Sequence, residues 1–305
     1  MVLSSLTIGI PVYNEEKTIK TSMLSILDAA KQISIPYELI VCFNGTTDKS
    51  KEVLNEIRSH SIKIIDSEKG KAKAIKALGE AAKSEIIVFT DADTIMYPDC
   101  LVNLLEPFND SKILAVTGRP VPVIKPSFVY NVINARMLYP DSEIAKNHVD
   151  NNTNKPFLHG RLYAVRKKVF EEFGELKSMN LSIGDDTFLT HHILLKYGRQ
   201  AIFCAKNAHT KYLPVQSIHS WWLKWSRIWE DLDKLYRNNH QFKSLSHAVK
   251  TKIDWKYVFS LPWKVRFAFI FERCLHHSAR IYFLISKIFS NFEWIRLDDT
   301  KEAFT

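Results

Sequence analysis

The stretch S84-EIIVFTDADTIMYPD-C100 decides how this chain is read. A run of apolar and β-branched residues leads straight into Asp91 and Asp93, separated by one alanine. Short apolar runs of this kind, bounded by turn residues, are buried strands. Two carboxylates at the mouth of a buried strand are costly unless they serve a ligand or cap a turn. In an extended chain residues i and i+2 share a face, so both could address one cation. Hard cations such as Mg2+ or Mn2+ take one or two carboxylates together with phosphate oxygens. The tripeptide alone fits a solvated turn or a cap better, and the chain holds a second Asp-x-Asp, Asp231 and Asp233, inside a helical pattern.

Upstream, strand and helix signals alternate. LTIGIPVY (6–13), YELIVCF (37–43), IKIID (62–66) and EIIVFT (85–90) read as strands. Residues 15–31, DKSKEVLNEIRSH and 70–83 read as helices. Near-continuous apolar strands alternating with helices predict an α/β fold, a mostly parallel sheet with helices on both faces. Ligands of such sheets bind beyond the carboxyl ends of the strands. PVYNEE, NGTTD and DAD all fall at such ends. Further on, FLHGRLYAVRK (157–167) and QAIFCA read as strands, and GDDTFLTHHILLKYG (184–198) as a helix with Asp185 and Asp186 at its start. Those two acids suit N-capping; a pair also leaves one free to act as a base on a hydroxyl. Lys71, at a helix start after Gly70, suits phosphate contact. His191 and His192 face different directions on a helix, and His209 or His219 would be needed to extend a metal site.

The 305 residues carry a net charge of +9, unevenly spread. Residues 215–305 hold 15 Lys and Arg against 9 Asp and Glu, and the rest of the chain 27 against 24. A basic C-terminal third suits an anionic surface. The four cysteines are scattered, which fits a reducing compartment. The N-terminus shows no signal-peptide pattern and no run is long enough to span a bilayer, so a cytoplasmic protein is expected, peripheral at most. Residues 127–147 look helical, 148–156 a polar loop, and from 215 onward the chain is helical, aromatic and basic. The expected division is a catalytic domain, 1–214, and a helical region, 215–305.

Together the motifs resemble family 2 glycosyltransferases with a GT-A fold. IPVYNEE (10–16), NGTTD (44–48), GKAKAIKAL (70–78), FTDADT (89–94), GRLYAVRKKVFEEFG (160–174) and GDDTFLTHHILLKYG are similar to that family's motifs and keep its order over about residues 6–240. The resemblance implies a nucleotide-sugar donor, Mg2+ or Mn2+, and inversion at the anomeric carbon. It implies that Asp93, with Asp91, holds the metal and diphosphate. Asp186 would be the base, with Asp185 as second choice. Pro11, Tyr13, Glu15, Asn44, Lys71 and Asp91 would line the donor site, and Gly160 and Arg161 the acceptor side. Phe43 stands where many members carry an Asp for the base or ribose, so preference for UDP over GDP rests on the family alone.

VQSIHSWWLKWSRIWEDL (215–232) is similar to the family's interfacial Q-x-x-R-W helix, with degenerate spacing; it implies acceptor-side roles for Trp222 and Arg227. Trp222, Trp225, Trp229, Leu232 and Tyr236 form one helical face, equally suited to packing on protein or meeting a membrane. Arg266, Arg273, Arg280 and Lys287 recur every seven residues among bulky apolar ones, as a helix in an anionic interface requires. The expected activity is transfer of a hexose to a lipid-linked or glycan acceptor at a membrane surface, in polysaccharide or glycolipid synthesis. The alternatives are a non-catalytic nucleotide-sugar or glycan-binding protein and a sugar-phosphate nucleotidyltransferase. The latter lacks its expected Gly-rich loop here. Nucleic acid is disfavoured, because the basic residues are interleaved with bulky apolar ones.

Overall fold

The computed structural model describes residues 3–57, 62–135, 157–172, 185–238, 240–243 and 255–289. Its core is an eight-stranded mixed sheet. Four strands are parallel: β1 (Leu6–Val12) lies between β2 (Tyr37–Asn44) and β4 (Ile86–Thr90), and β3 (Ile62–Ser67) flanks β2. The connecting helices are α1 (Ile19–Ala30), α2 (Ser50–Asn55) and α3 (Lys71–Ala81).

Strand alternation puts helices on both faces. Leu6, Ile8, Ile10 and Val12 are fully buried and cluster with Ile19, Met23 and Ile26 of α1. Gly9 points the other way, where a Cβ would stand 3.4 Å from Leu78 of α3 and from Phe89. Helix α1 starts later than the 15–31 reading, at Ile19, the first position of the apolar spacing. Asn14 adopts φ 55°, and the Glu15 carbonyl accepts from the amides of Thr18 and Ile19, so residues 13–18 form a turn before the helix.

Past β4 the sheet changes direction. Strand β5 (Thr94–Met96) follows β4 after a short turn, and the sheet order from its edge is β3-β2-β1-β4-β7-β6-β8-β5. Helix α4 (Cys100–Leu105) leads to β6 (Ala115–Pro122). Strand β7 (Leu162–Arg166) runs antiparallel between β4 and β6, with Thr90 opposite Leu162. That register brings Gly160 and Arg161 to the carboxyl end of β4. Helix α6 (Lys167–Glu171) follows β7, α7 (Asp185–Tyr197) comes next, and β8 (Ile202–Tyr212) pairs antiparallel with β5.

Two compact units emerge: 1–121 with 156–212, and 122–155 with 213–300. The second unit contains α5 (Phe128–Ile133), α8 (Ile218–Asn238), α9 (Trp255–Ser260) and α10 (Trp263–Phe289). Much of its tryptophan stripe is core. Trp221 and Trp225 are buried together with Ile133, Val215 and Ala279, and Trp222 and Trp229 pack against this cluster. The His276 ring of α10 lies 4.3 Å from Trp225 and 5.0 Å from Trp229. Asp231 of the second Asp-x-Asp is buried on α8, and Asp233 pairs with Arg237, so this motif belongs to helix packing. Among the described residues no helix is long and apolar enough to cross a membrane. The expected helical stretch beyond Ala135, the loop 148–156 and the side chain of Lys287 lie outside the described residues.

Candidate active site

The first unit brings the separated polar motifs together around one lysine. Lys71 opens α3 after Gly70, whose φ of 133° is a conformation side chains resist. Its Nζ donates to Asp91 Oδ1 at 2.6 Å and to the Gly160 carbonyl at 3.2 Å. Burial works against the ammonium. Asp91, Asp185 and Asp186 outweigh it and raise the Lys71 pKa. The lysine therefore stays charged, counterion to carboxylates from two motifs nearly a hundred residues apart.

Asp91 and Asp93 sit in a turn, not on an extended strand as the i, i+2 argument supposed. Thr94 Oγ1 donates to the Asp91 carbonyl at 2.8 Å, while Thr90 Oγ1 donates to the Arg161 carbonyl at 3.0 Å and so ties β4 to the Gly160-Arg161 segment. Burial, reinforced by Asp91, raises Asp93 to about 6 against the opposing charges of Arg161 and Lys71. The Arg161 guanidinium carbon lies 4.0 Å from the centroid of the buried Tyr212 ring, a cation–π contact.

The α7 pair divides its labour. Asp185 is buried at 3% exposure and accepts from the Tyr163 hydroxyl at 3.1 Å. Burial raises its pKa to about 6; Lys71 opposes this, and Asp186 and Asp91 add to it. Asp186 is half-buried. Its Oδ2 accepts from the Gly160 amide at 2.8 Å and its Oδ1 from the Thr187 amide at 2.7 Å. Burial raises its pKa too, restrained by Lys71 and these two amides. A side chain at position 160 would meet Asp186 Oδ2 at 2.9 Å, so the close approach needs glycine.

The remaining donor-side residues occupy the carboxyl ends of β1 and β2. Pro11 is buried opposite Cys42. Asn44 is 4% exposed and its Oδ1 has no hydrogen-bond partner among the described residues. Tyr13 is half-buried with the Lys69 ammonium 5.2 Å over its ring. Glu15 is turned inward, accepting from Thr18 Oγ1 at 2.8 Å, while its amide donates to Ser50. Asn14 Oδ1 accepts from the amides of Thr47 and Asp48 and so holds the NGTTD loop. Trp222 and Arg227 belong to the second unit. Trp222 packs edge-on to Tyr282 at 5.4 Å, and burial lowers the Arg227 pKa against the pull of Asp231.

Three contributors went unread in the sequence. Tyr163 stands two residues past Arg161, so strand alternation could have placed both on one side. Asn14 combines a polar motif with tolerance for positive φ. Tyr212 gave no local signal, because its partner Arg161 is remote in sequence.

Metal ligation has limited means here. Among the described residues no group of three or more His, Cys, Asp and Glu could hold a metal. His209 packs edge-on to Tyr97 at 5.8 Å, and its carbonyl accepts from the Tyr97 amide, four positions beyond Asp93. His191 is buried with Nδ1 on the Thr187 carbonyl. His219 is in the second unit. Asp91 and Asp93 nevertheless fit a hard divalent cation: both are oxygen donors, and their crowding is relieved by positive charge.

The family model described as Glycosyl transferase family 2 matches residues 7–174. An O-antigen chain rhamnosyltransferase of Salmonella typhimurium is 27% identical over 66% of this chain and 64% of its own length. An undecaprenyl-phosphate 4-deoxy-4-formamido-L-arabinose transferase of Pectobacterium carotovorum is 30% identical over 34% of this chain and 33% of its own. The chain thus spans less than two thirds of either relative. Among solved structures, a mannosyltransferase of Pyrobaculum calidifontis in complex with GDP-Man and Mn2+ superposes with a TM-score of 0.57 at 19% identity, over 94% of this chain and 76% of that one. The glucosyl-3-phosphoglycerate synthase of Mycobacterium tuberculosis, in complex with Mn2+, UDP and glucosyl-3-phosphoglycerate, gives 0.53 at 17% identity, over 77% of this chain and 79% of that one. At these identities the likeness is one of fold.

Proposed function

The chain belongs to glycosyl transferase family 2, and from that membership we propose that it moves a sugar from a nucleotide-diphosphate sugar to a hydroxyl of a lipid-linked or glycan acceptor, with inversion. The observation that carries the reading is the orientation of Asp186. Its two oxygens are aimed by separate backbone amides, it is half-buried, and it shares Lys71 with Asp91 of the DxD turn.

Asp186 takes the proton of the acceptor hydroxyl as that oxygen attacks the anomeric carbon. The bond to the diphosphate oxygen breaks on the opposite face, and the nucleoside diphosphate leaves with the electron pair. Asp185 is occupied by Tyr163 and supports rather than replaces Asp186. Lys71 sets a positive charge beside the diphosphate. Asp91 and Asp93 would hold Mg2+ or Mn2+, which when bound neutralises charge building on the leaving group. The Mn2+ complexes of the two solved proteins of like fold support that choice of cofactor class. Pro11, Tyr13 and Asn44 line the nucleoside, and Glu15 shapes the loop beside them. UDP is the expected nucleotide. Gly160 and Arg161 face the acceptor. In this reading residues 1–214 carry the chemistry and 215–305 serve the acceptor, at the cytoplasmic face of a membrane.

Nucleotide release from a panel of UDP- and GDP-sugars, with Mn2+ or Mg2+ and then with chelator, tests the reading. Turnover of one donor should vanish in Asp93→Ala. Asp186→Asn should bind donor and fail to turn over. Calorimetry showing no metal-dependent nucleotide binding would overturn it, and binding without turnover on any acceptor would favour a binding protein.

A further inference from the structure

The second unit carries an exposed apolar face distinct from its tryptophan core. On α10, Trp263 is 70% exposed, Phe267 50%, Phe271 42% and Ile281 59%. Positions 263, 267, 271, 274 and 281 recur at helical spacing, so they lie along one side. Trp255 and Phe259 of α9 are exposed in the same way, and the Arg266 guanidinium lies over the Phe259 ring at 6.0 Å. Six bulky apolar side chains left in water over two adjoining helices are unfavourable for a free surface.

Charge identifies what covers them. Between residues 255 and 284 the cations are Lys256, Lys264, Arg266, Arg273 and Arg280, and the only acid is Glu272. Glu272 is fully buried. The charge these helices show to solvent is therefore entirely positive. Two copies meeting through this face would oppose like charges with no acid between them. A polyphosphate strand would leave the aromatic rings unserved. An anionic bilayer satisfies both features, since the rings enter the headgroup boundary while Lys and Arg stay among lipid phosphates.

We propose that α9 and the exposed side of α10 form a docking surface for an anionic lipid bilayer, the chain lying on the membrane through Trp263, Phe267 and Phe271 without crossing it. The inference stands on this surface and not on the transferase reading, so lipid binding and turnover can fail separately.

Flotation of the full chain with vesicles of phosphatidylcholine alone, or mixed with phosphatidylglycerol, tests it. Binding is expected with the anionic vesicles, weakening as salt rises. Trp263→Ser with Phe267→Ser and Phe271→Ser should abolish flotation while circular dichroism stays that of the parent. Lys256→Gln with Lys264→Gln should weaken it roughly tenfold or more. Should the serine variant misfold, a polarity-sensitive dye on the exposed Cys274 replaces it, and its emission must shift blue on adding anionic vesicles. Failure of the intact chain to float at low salt overturns the proposal. So does retained flotation in the folded serine variant, an unchanged dye, or a lipid-free dimer that the same substitutions dissociate.

Discussion

The Gly160 amide donates to Asp186 Oδ2 at 2.8 Å, and the same carboxylate oxygen would stand 2.9 Å from any Cβ at position 160. The aim of the carboxylate and the absence of a side chain are one relationship. Gly160→Ala should push Asp186 off its amide and cut kcat about a hundredfold with little change in donor KM. Steady-state kinetics reads the split. A rise in KM alone would place Gly160 on the donor side.

Asp93 has a pKa near 6, so a proton and a divalent cation compete for it. Mn2+ should raise the thermal midpoint above about pH 6 and lose its effect as pH falls below that, because the protonated acid does not bind the ion. Asp93→Asn should remove the response at every pH. Differential scanning fluorimetry across pH checks this, without substrate.

Asp185 is buried with its pKa raised to about 6 from the ordinary carboxylate value near 4. Between those values the folded chain holds a proton that the unfolded chain has released. Stability therefore falls as pH rises through that window. Asp185→Asn keeps an oxygen for Tyr163 and removes the charge. The variant should match wild type near pH 4 and gain on it as pH rises toward 7. Urea unfolding at the two pH values would show the difference.

Trp221 and Trp263 predict opposite outcomes. Trp221 is 1% exposed in the α8–α10 cluster, and its truncation to Ala should cost about 3–5 kcal/mol. Trp263 is 70% exposed, and Trp263→Ala should stay within about 0.5 kcal/mol. Chemical denaturation of both in the absence of lipid tests which tryptophans are core.

Much of the site was readable from local chemistry. Asp91, Asp93, Lys71, Asp185 and Asp186 stand in short motifs at strand or helix ends, and strand periodicity reveals those ends without knowledge of pairing. The four parallel strands were legible for the same reason, being nearly all apolar. The start of α1 and the DxD turn were misread because each depends on a single turn: Asn14 at positive φ, and Thr94 closing on the Asp91 carbonyl.

The sequence alone determined which groups carry charge and where each strand ends, because these depend on neighbours in the chain. Only the tertiary structure decided that β7 slots antiparallel beside β4, which delivers Gly160 to Asp186 and Lys71 to both aspartate motifs. It also decided that the Trp221 and Trp225 face is buried while Trp263 is exposed. Both helices are amphipathic and aromatic, and a helix's apolar face does not specify its partner. Pairing and packing join residues far apart in sequence, and their free energy lies in contacts that no single segment contains.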